Sequence, residues 1–172
     1  MKKQNLNSTE RKVYRELFIN RDDVFKRQDN QGKGYYDVHD PLTDEILFNP
    51  EENVGSYQLD KNNKVRYAVL DIDLKKDVYE SQDFNIDDWL PRLQQQAKIA
   101  NSLLKAKGID ALIEFSGFKG YHLWIFLQEP TDAMILRQFM QITFSTMPRV
   151  NDGITWELFP NGKFKNFRTP FH

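Results

Sequence analysis

The sequence predicts an α+β fold in which strands and helices follow the order β-α-β-β-α-β, after an N-terminal addition of one helix and short strands. Three observations carry this. Residues 65–73 form a run of β-branched and apolar residues that turns into strict alternation, the mark of a strand with two unlike faces. Two later stretches repeat apolar residues every three or four positions, as amphipathic helices do. Between those helices, two apolar runs are joined by a glycine-containing turn.

A chain of 172 residues is long enough for one domain with an ordinary core. Hydrophobic residues make up 40% and charged residues 28%, which excludes wholesale disorder. No cysteine is present, so disulfide scaffolds, thiolate zinc sites and cysteine nucleophiles are excluded. Apolar runs are too short to span a membrane, and the polar N-terminus is no secretory signal, so a cytoplasmic location is expected. The net charge of −1 hides an uneven distribution: residues 1–36 carry +4, residues 37–90 carry −9, and residues 91–172 carry +4. Such a pattern suits either chance surface charge or a carboxylate site set between phosphate-binding surfaces.

The elements follow in order. Residues 9–28 read as a helix capped by Ser8 or Thr9, with Val13, Tyr14, Leu17, Phe18, Val24 and Phe25 inward and a basic outer face. Short strands are expected at 46–48 and 56–59, and Asp60 to Lys64 as a polar turn. The strand at 65–73 comes next. Asp87 caps a helix whose stripe is Trp89, Leu93, Ala97, Ala100 and Leu104, stopped by Gly108. Strands at 111–116 and 121–127 flank the glycine turn. Thr131 or Asp132 caps a second helix with Ala133, Leu136, Met140, Phe144 and Met147 inward, and 154–159 is the last strand. This is the split-βαβ, RRM-like or ferredoxin-like arrangement, with the first and third strands central and the fourth beside the first. Residues 1–54 are the addition and 55–172 the core of a single domain.

Strand parity then places the polar residues. With Leu70 and Ile72 under the helices, Asp71 and Asp73 share the opposite face; His122 and Glu157 reach that face from the third and fourth strands. Adjacent aspartates on one face repel unless a cation or solvent intervenes. Asp-x-Asp by itself is equally how a strand opens into a solvated turn. Joined by Glu157, the pair suits a hard divalent cation that leaves coordination positions for phosphates. Ser116-Gly117-Phe118-Lys119-Gly120-Tyr121-His122 adds two glycines, a hydroxyl and an ammonium suited to phosphate oxygens, although a plain hairpin turn would read similarly.

Asp71-x-Asp73, then Ser116-Gly-x-Lys119-Gly-x-His122 followed by Leu-Trp-Ile-Phe, then an acidic residue on a final strand, resembles the archaeo-eukaryotic primase superfamily. Gly55-Ser56-Tyr57-Gln58-Leu59, Glu157-Leu158-Phe159-Pro160 and Arg168-Thr169-Pro170-Phe171-His172 look most similar to primase-polymerases of CRISPR loci and related conflict systems. The resemblance implies a template-directed nucleotidyltransferase that makes or extends primers on single-stranded DNA from nucleoside triphosphates. It implies that Asp71, Asp73 and Glu157 bind two Mg²⁺ or Mn²⁺ ions, with Glu157 departing from the aspartate common at that position. It further implies that Ser116, Lys119 and His122 hold the triphosphate with help from Arg168 and His172, that CRISPR adaptation proteins are partners, and that the chain is a catalytic core trimmed after His172. Arg11, Arg15, Lys26, Tyr35, Tyr36, Phe118 and Trp124 are candidates for tracking or stacking a single strand. A non-catalytic RRM-like binding module and a metal-dependent nuclease or phosphatase are the competing readings.

Overall fold

The computed structural model describes residues 6–29, 31, 34–161 and 167–168. In chain order the elements are α1 (Ser8–Phe18), β1 (Phe25–Gln28), β2 (Tyr35–Val38), α2 (Asp44–Leu47), β3 (Val54–Ser56), β4 (Lys64–Leu74), α3 (Lys76–Tyr79), α4 (Ile86–Lys105), β5 (Leu112–Phe115), β6 (Gly120–Asp132), α5 (Ala133–Phe144), β7 (Ile154–Phe159) and β8 (Phe167–Arg168). Two compact units result: Met1–Tyr67 with Gln128–Ala133 and Gly162–His172, and Ala68–Leu127 with Met134–Asn161. Among the described residues no helix is long and apolar enough to cross a membrane.

The first unit holds a sheet of order β2-β1-β3-β8. The cap of its helix α1 is Asn7, one residue before the nearer of the two expected caps: the Asn7 side chain accepts from Glu10 N–H, and Glu10 accepts from Asn7 N–H, a capping box. The helix also stops at Phe18 rather than continuing to Gln28. Ile19 takes extended backbone, and the polar run Asn20-Arg21-Asp22-Asp23 interrupts the apolar stripe. Beyond it Phe25 is fully buried in a strand paired to Val38 on one side and Ser56 on the other, so tertiary pairing overrides helical spacing. The strand expected at 46–48 is instead α2, whose first turn carries Asp44 and Glu45, charges that suit a helix N-terminus. The strand expected at 56–59 lies at Val54–Ser56. The turn after it is as expected: Asp60 Oδ1 accepts from Asn62 and Lys64 N–H, and Asn63 takes a φ of 59°.

The second unit carries the β-α-β-β-α-β core. Its sheet runs β5-β6-β4-β7, so the first and third strands of the core are central and the fourth pairs the first, antiparallel from Val69↔Phe159 to Leu74↔Ile154. Helix α4 is capped by Asn85, two residues before the expected Asp87, and buries Leu93, Ala97, Ala100 and Leu104 as the stripe predicts. Helix α5 buries Ala133, Leu136, Met140 and Phe144. One polar residue is enclosed with them. Gln96 is fully buried, donating to Pro148 O at 2.9 Å and accepting from Val150 N–H at 2.9 Å, so both ends of its amide are satisfied.

Candidate functional site

Alternation along β4 creates the site. Leu70 and Ile72 are fully buried, while Asp71 and Asp73 point to the other face and stay partly exposed. The cross-strand register sets Glu157 opposite Asp71 and Thr155 opposite Asp73. The turn between β5 and β6 is held to the end of β4: Leu74 N–H donates to Lys119 O at 3.2 Å, and Ser116 N–H closes the turn on Gly120 O at 3.0 Å. Gly120 is required there, since a Cβ would stand 2.4 Å from Ile72 O, and Gly117 takes a φ of 93°. Lys119 is thereby delivered to Asp73, with which it forms an ion pair, its ammonium 4.7 Å from the Tyr79 ring centroid.

His122 enters from β6. Its Nε2 lies 3.6 Å from Asp71 Oδ1, too long for a hydrogen bond but close for charges. Its Nδ1 lies 3.1 Å from Glu114 Oε2, and the same oxygen accepts from Trp124 Nε1–H at 2.8 Å. Burial pushes Asp71 up to about 6 from its ordinary 3.8; His122 and Lys119 act against that rise, and Asp73 and Glu157 add to it. This carboxylate is held in a setting that disfavours its charge, a perturbation of the kind that clusters at functional sites.

The structure therefore brings Asp71, Asp73, Lys119 and His122 together. Glu157 is exposed and accepts from Asn161 Nδ2–H at 2.9 Å; it reaches Asp71 through its field. Ser116 is exposed in the turn. Arg168 sits in β8, paired with Gly55 in the first unit, and His172 lies outside the described residues. Trp124 is 1% exposed and cannot stack a nucleic-acid base, whereas Phe118 is 53% exposed. The basic residues of the first unit are engaged locally: Arg15 with Leu42 O and Asp44, Lys26 with Asp37, and Arg11 over the Phe48 ring. Glu114 escaped the sequence reading. Hairpin register could have found it, because Glu114 pairs with His122 across β5 and β6.

Among the described residues, no three carboxylate or imidazole groups close on a common point to form a metal cage. The donor set nonetheless fits Mg²⁺ or Mn²⁺, which bind through one or two carboxylates and leave positions for phosphate oxygens. Asp73 already draws a cation, in the form of the Lys119 ammonium.

A family model described as the archaeo-eukaryotic primase domain of TOTE conflict systems matches residues 37–167, about three quarters of the chain. Among solved structures, the chain is similar to the polymerase domain of ligase D from Mycobacterium tuberculosis in complex with DNA. The two share 17% identity at a TM-score of 0.52, over 80% of this chain and 60% of that one, a likeness of fold. The chain thus spans less than two thirds of that structure's length. No curated protein sequence matches it.

Proposed function

This chain belongs to the archaeo-eukaryotic primase domain family of TOTE conflict systems, and we propose that it is a primase-polymerase: a nucleotidyltransferase that makes or extends primers on single-stranded DNA. The observation that carries the reading is the convergence of Asp71, Asp73, Lys119 and His122 on one face of the core sheet.

The reaction joins a primer 3′-hydroxyl to the α-phosphate of a nucleoside triphosphate and releases pyrophosphate. Asp71 and Asp73, with Glu157 beside them in register, would hold two Mg²⁺ or Mn²⁺ ions. Bound there, such ions supply charge neutralisation at the phosphates and acidify the attacking hydroxyl. Lys119 would exchange its Asp73 carboxylate for a phosphate oxygen, since both are hard anionic acceptors for an ammonium. Nε2 of His122 faces the same region, and Ser116 offers a hydroxyl at the mouth of the turn. Arg168 and His172 would assist at the triphosphate. The partial burial of Asp71, Asp73, Lys119 and His122 would strengthen their contacts, because fixed charges act more strongly where water is scarce.

A binding module without chemistry would present aromatic rings on the open sheet face. Here the ring at its centre, Trp124, is buried and carboxylates take the middle. The family name points to a conflict system as the biological setting, with CRISPR adaptation proteins a second setting suggested by the sequence motifs.

The test is primer synthesis on unprimed single-stranded DNA with Mn²⁺ or Mg²⁺ and labelled nucleotides, comparing the wild type with the double variant Asp71→Ala/Asp73→Ala. Products from the wild type alone support the reading. Extension only of an annealed primer retains the polymerase and removes primase initiation. Equal single-strand binding by both proteins without any product favours the binding module.

A further inference from the structure

Burial along β5 is inverted. Leu112, Ile113 and Phe115 are 52%, 40% and 44% exposed, while the side chain of Glu114, the only charged residue of the strand, is 16% exposed. Covering a carboxylate and leaving its apolar neighbours in water runs against the hydrophobic effect and needs compensation. The compensation is visible. Glu114 Oε2 accepts from the indole of Trp124 at 2.8 Å and lies 3.1 Å from Nδ1 of His122. Trp124 can only donate and is 1% exposed, so it fixes the carboxylate in place. The imidazole in turn stands edge-on to the indole, with ring centroids 6.1 Å apart and planes at 89°.

We propose that Glu114 is a positioning residue of the site, setting the tautomer and orientation of His122. A carboxylate only accepts, so a ring nitrogen within hydrogen-bond distance of one must carry the proton; Nδ1 meets Glu114 at 3.1 Å, whereas Asp71 lies beyond hydrogen-bond distance of Nε2. Nδ1 is therefore the protonated nitrogen, and Nε2 is the atom presented toward Asp71, 3.6 Å away. Rotating the ring by half a turn would break the Glu114 bond, so the geometry specifies one orientation as well as one tautomer. Carboxylate-to-histidine contacts orient metal-bound imidazoles in the same way. Here the chain Trp124–Glu114–His122 runs across one hairpin and ends at the Asp71 carboxylate. That Nε2 so placed serves a nucleotide rests on the function proposed above; the tautomer does not.

The test is the two-bond ¹H–¹⁵N spectrum of the histidine rings, recorded at an alkaline pH where the spectrum itself shows a neutral ring with one bare and one protonated nitrogen. The chain has three histidines, and His122 is assigned by the signal lost in His122→Asn. Nδ1 is expected to carry the proton in the wild type and in Glu114→Gln, whose amide oxygen can still accept both bonds. In Glu114→Ala the proton is expected to move wholly or partly to Nε2. Nucleoside triphosphate affinity with Mg²⁺ is expected to fall about tenfold in Glu114→Ala and to recover most of that loss in Glu114→Gln. A bare Nδ1 in the wild type overturns the proposal, as does a wild-type ring spectrum in folded Glu114→Ala. Should Glu114→Ala fail to fold, the wild-type and Glu114→Gln spectra decide alone, a bare Nδ1 in either refuting it. Absence of nucleotide binding by the wild type would instead refute the functional reading and leave the tautomer result standing.

Discussion

A Cβ placed on Gly120 would stand 2.4 Å from Ile72 O and 3.0 Å from Asp73 Oδ1, where ordinary contact begins at 3.4 Å. The nearest atom is backbone of the central strand, so it cannot swing aside. In Gly120→Ala the hairpin turn must therefore retreat from β4 by about 1 Å, the shortfall between those distances. Overpacking of this kind costs about 1–3 kcal/mol, which for a chain of this size lowers Tm by roughly 3–10 °C. The effect on chemistry is expected to be larger. The same retreat carries Lys119 away from Asp73, and a misplacement of about 1 Å at a reacting centre can cost about a hundredfold in rate. Gly108→Ala is the control. Gly108 also takes a left-handed backbone, with a φ of 73°, yet nothing lies within 4 Å of its Cβ position at the end of α4. It should lose about 1 kcal/mol and keep the wild-type rate of nucleotide incorporation. Thermal unfolding and single-nucleotide extension, run on both variants, separate the two effects. A Gly120→Ala protein with a rate within about threefold of wild type would show that the Lys119 turn does not set the chemistry, because the required shift exceeds what a precise site tolerates.

Asp71 carries a pH dependence whose sign follows from its raised value. Its folded pKa of about 6 exceeds the ordinary 3.8, so the metal-free folded state binds the proton more tightly, and this group's contribution to stability is full below about pH 4 and lost as pH rises through about 6. Asp71→Asn should therefore stabilise the metal-free protein at pH 8 by up to about 3 kcal/mol while abolishing activity; urea unfolding at pH 4 and pH 8 checks it, and the gain should vanish at the lower pH. Lys119→Met should raise the KM for nucleotide about tenfold or more in steady-state extension, since a cation placed for phosphate is lost. Gln96→Ala leaves Pro148 O and Val150 N–H without their partner, and chemical denaturation should show a loss of about 2–4 kcal/mol with the nucleotide KM unchanged.

Asp71 and Asp73 were legible because strand parity is local: once Leu70 and Ile72 face the helices, the aspartates have one direction left. The same holds for the α4 stripe, where spacing alone selects Leu93, Ala97, Ala100 and Leu104. What depended on contacts between distant residues was harder to read. The apolar pair Val24 and Phe25 continued the spacing of α1 well enough to imitate a helix, and only pairing with Val38 and Ser56 makes that stretch a strand. Asn7 outcompetes Ser8 as cap because Glu10 stands three residues on and returns the bond. Nothing local marks Glu114, and only the hairpin register sets it opposite His122. Trp124 looked available for stacking, and only its bond to Glu114 and its burial show otherwise.

For the proposed reaction Asp71 and Asp73 must accept a divalent ion together with a nucleotide. Mn²⁺ binding followed by electron paramagnetic resonance, with and without a non-hydrolysable nucleoside triphosphate, measures that directly. The wild type should bind Mn²⁺ more tightly when nucleotide is present, because phosphate oxygens complete the coordination that two carboxylates begin, and Asp71→Asn/Asp73→Asn should lose this enhancement. Nucleotide-enhanced Mn²⁺ binding that survives in the double variant, or a wild type in which nucleotide brings no enhancement, would show that these two carboxylates are not the metal site.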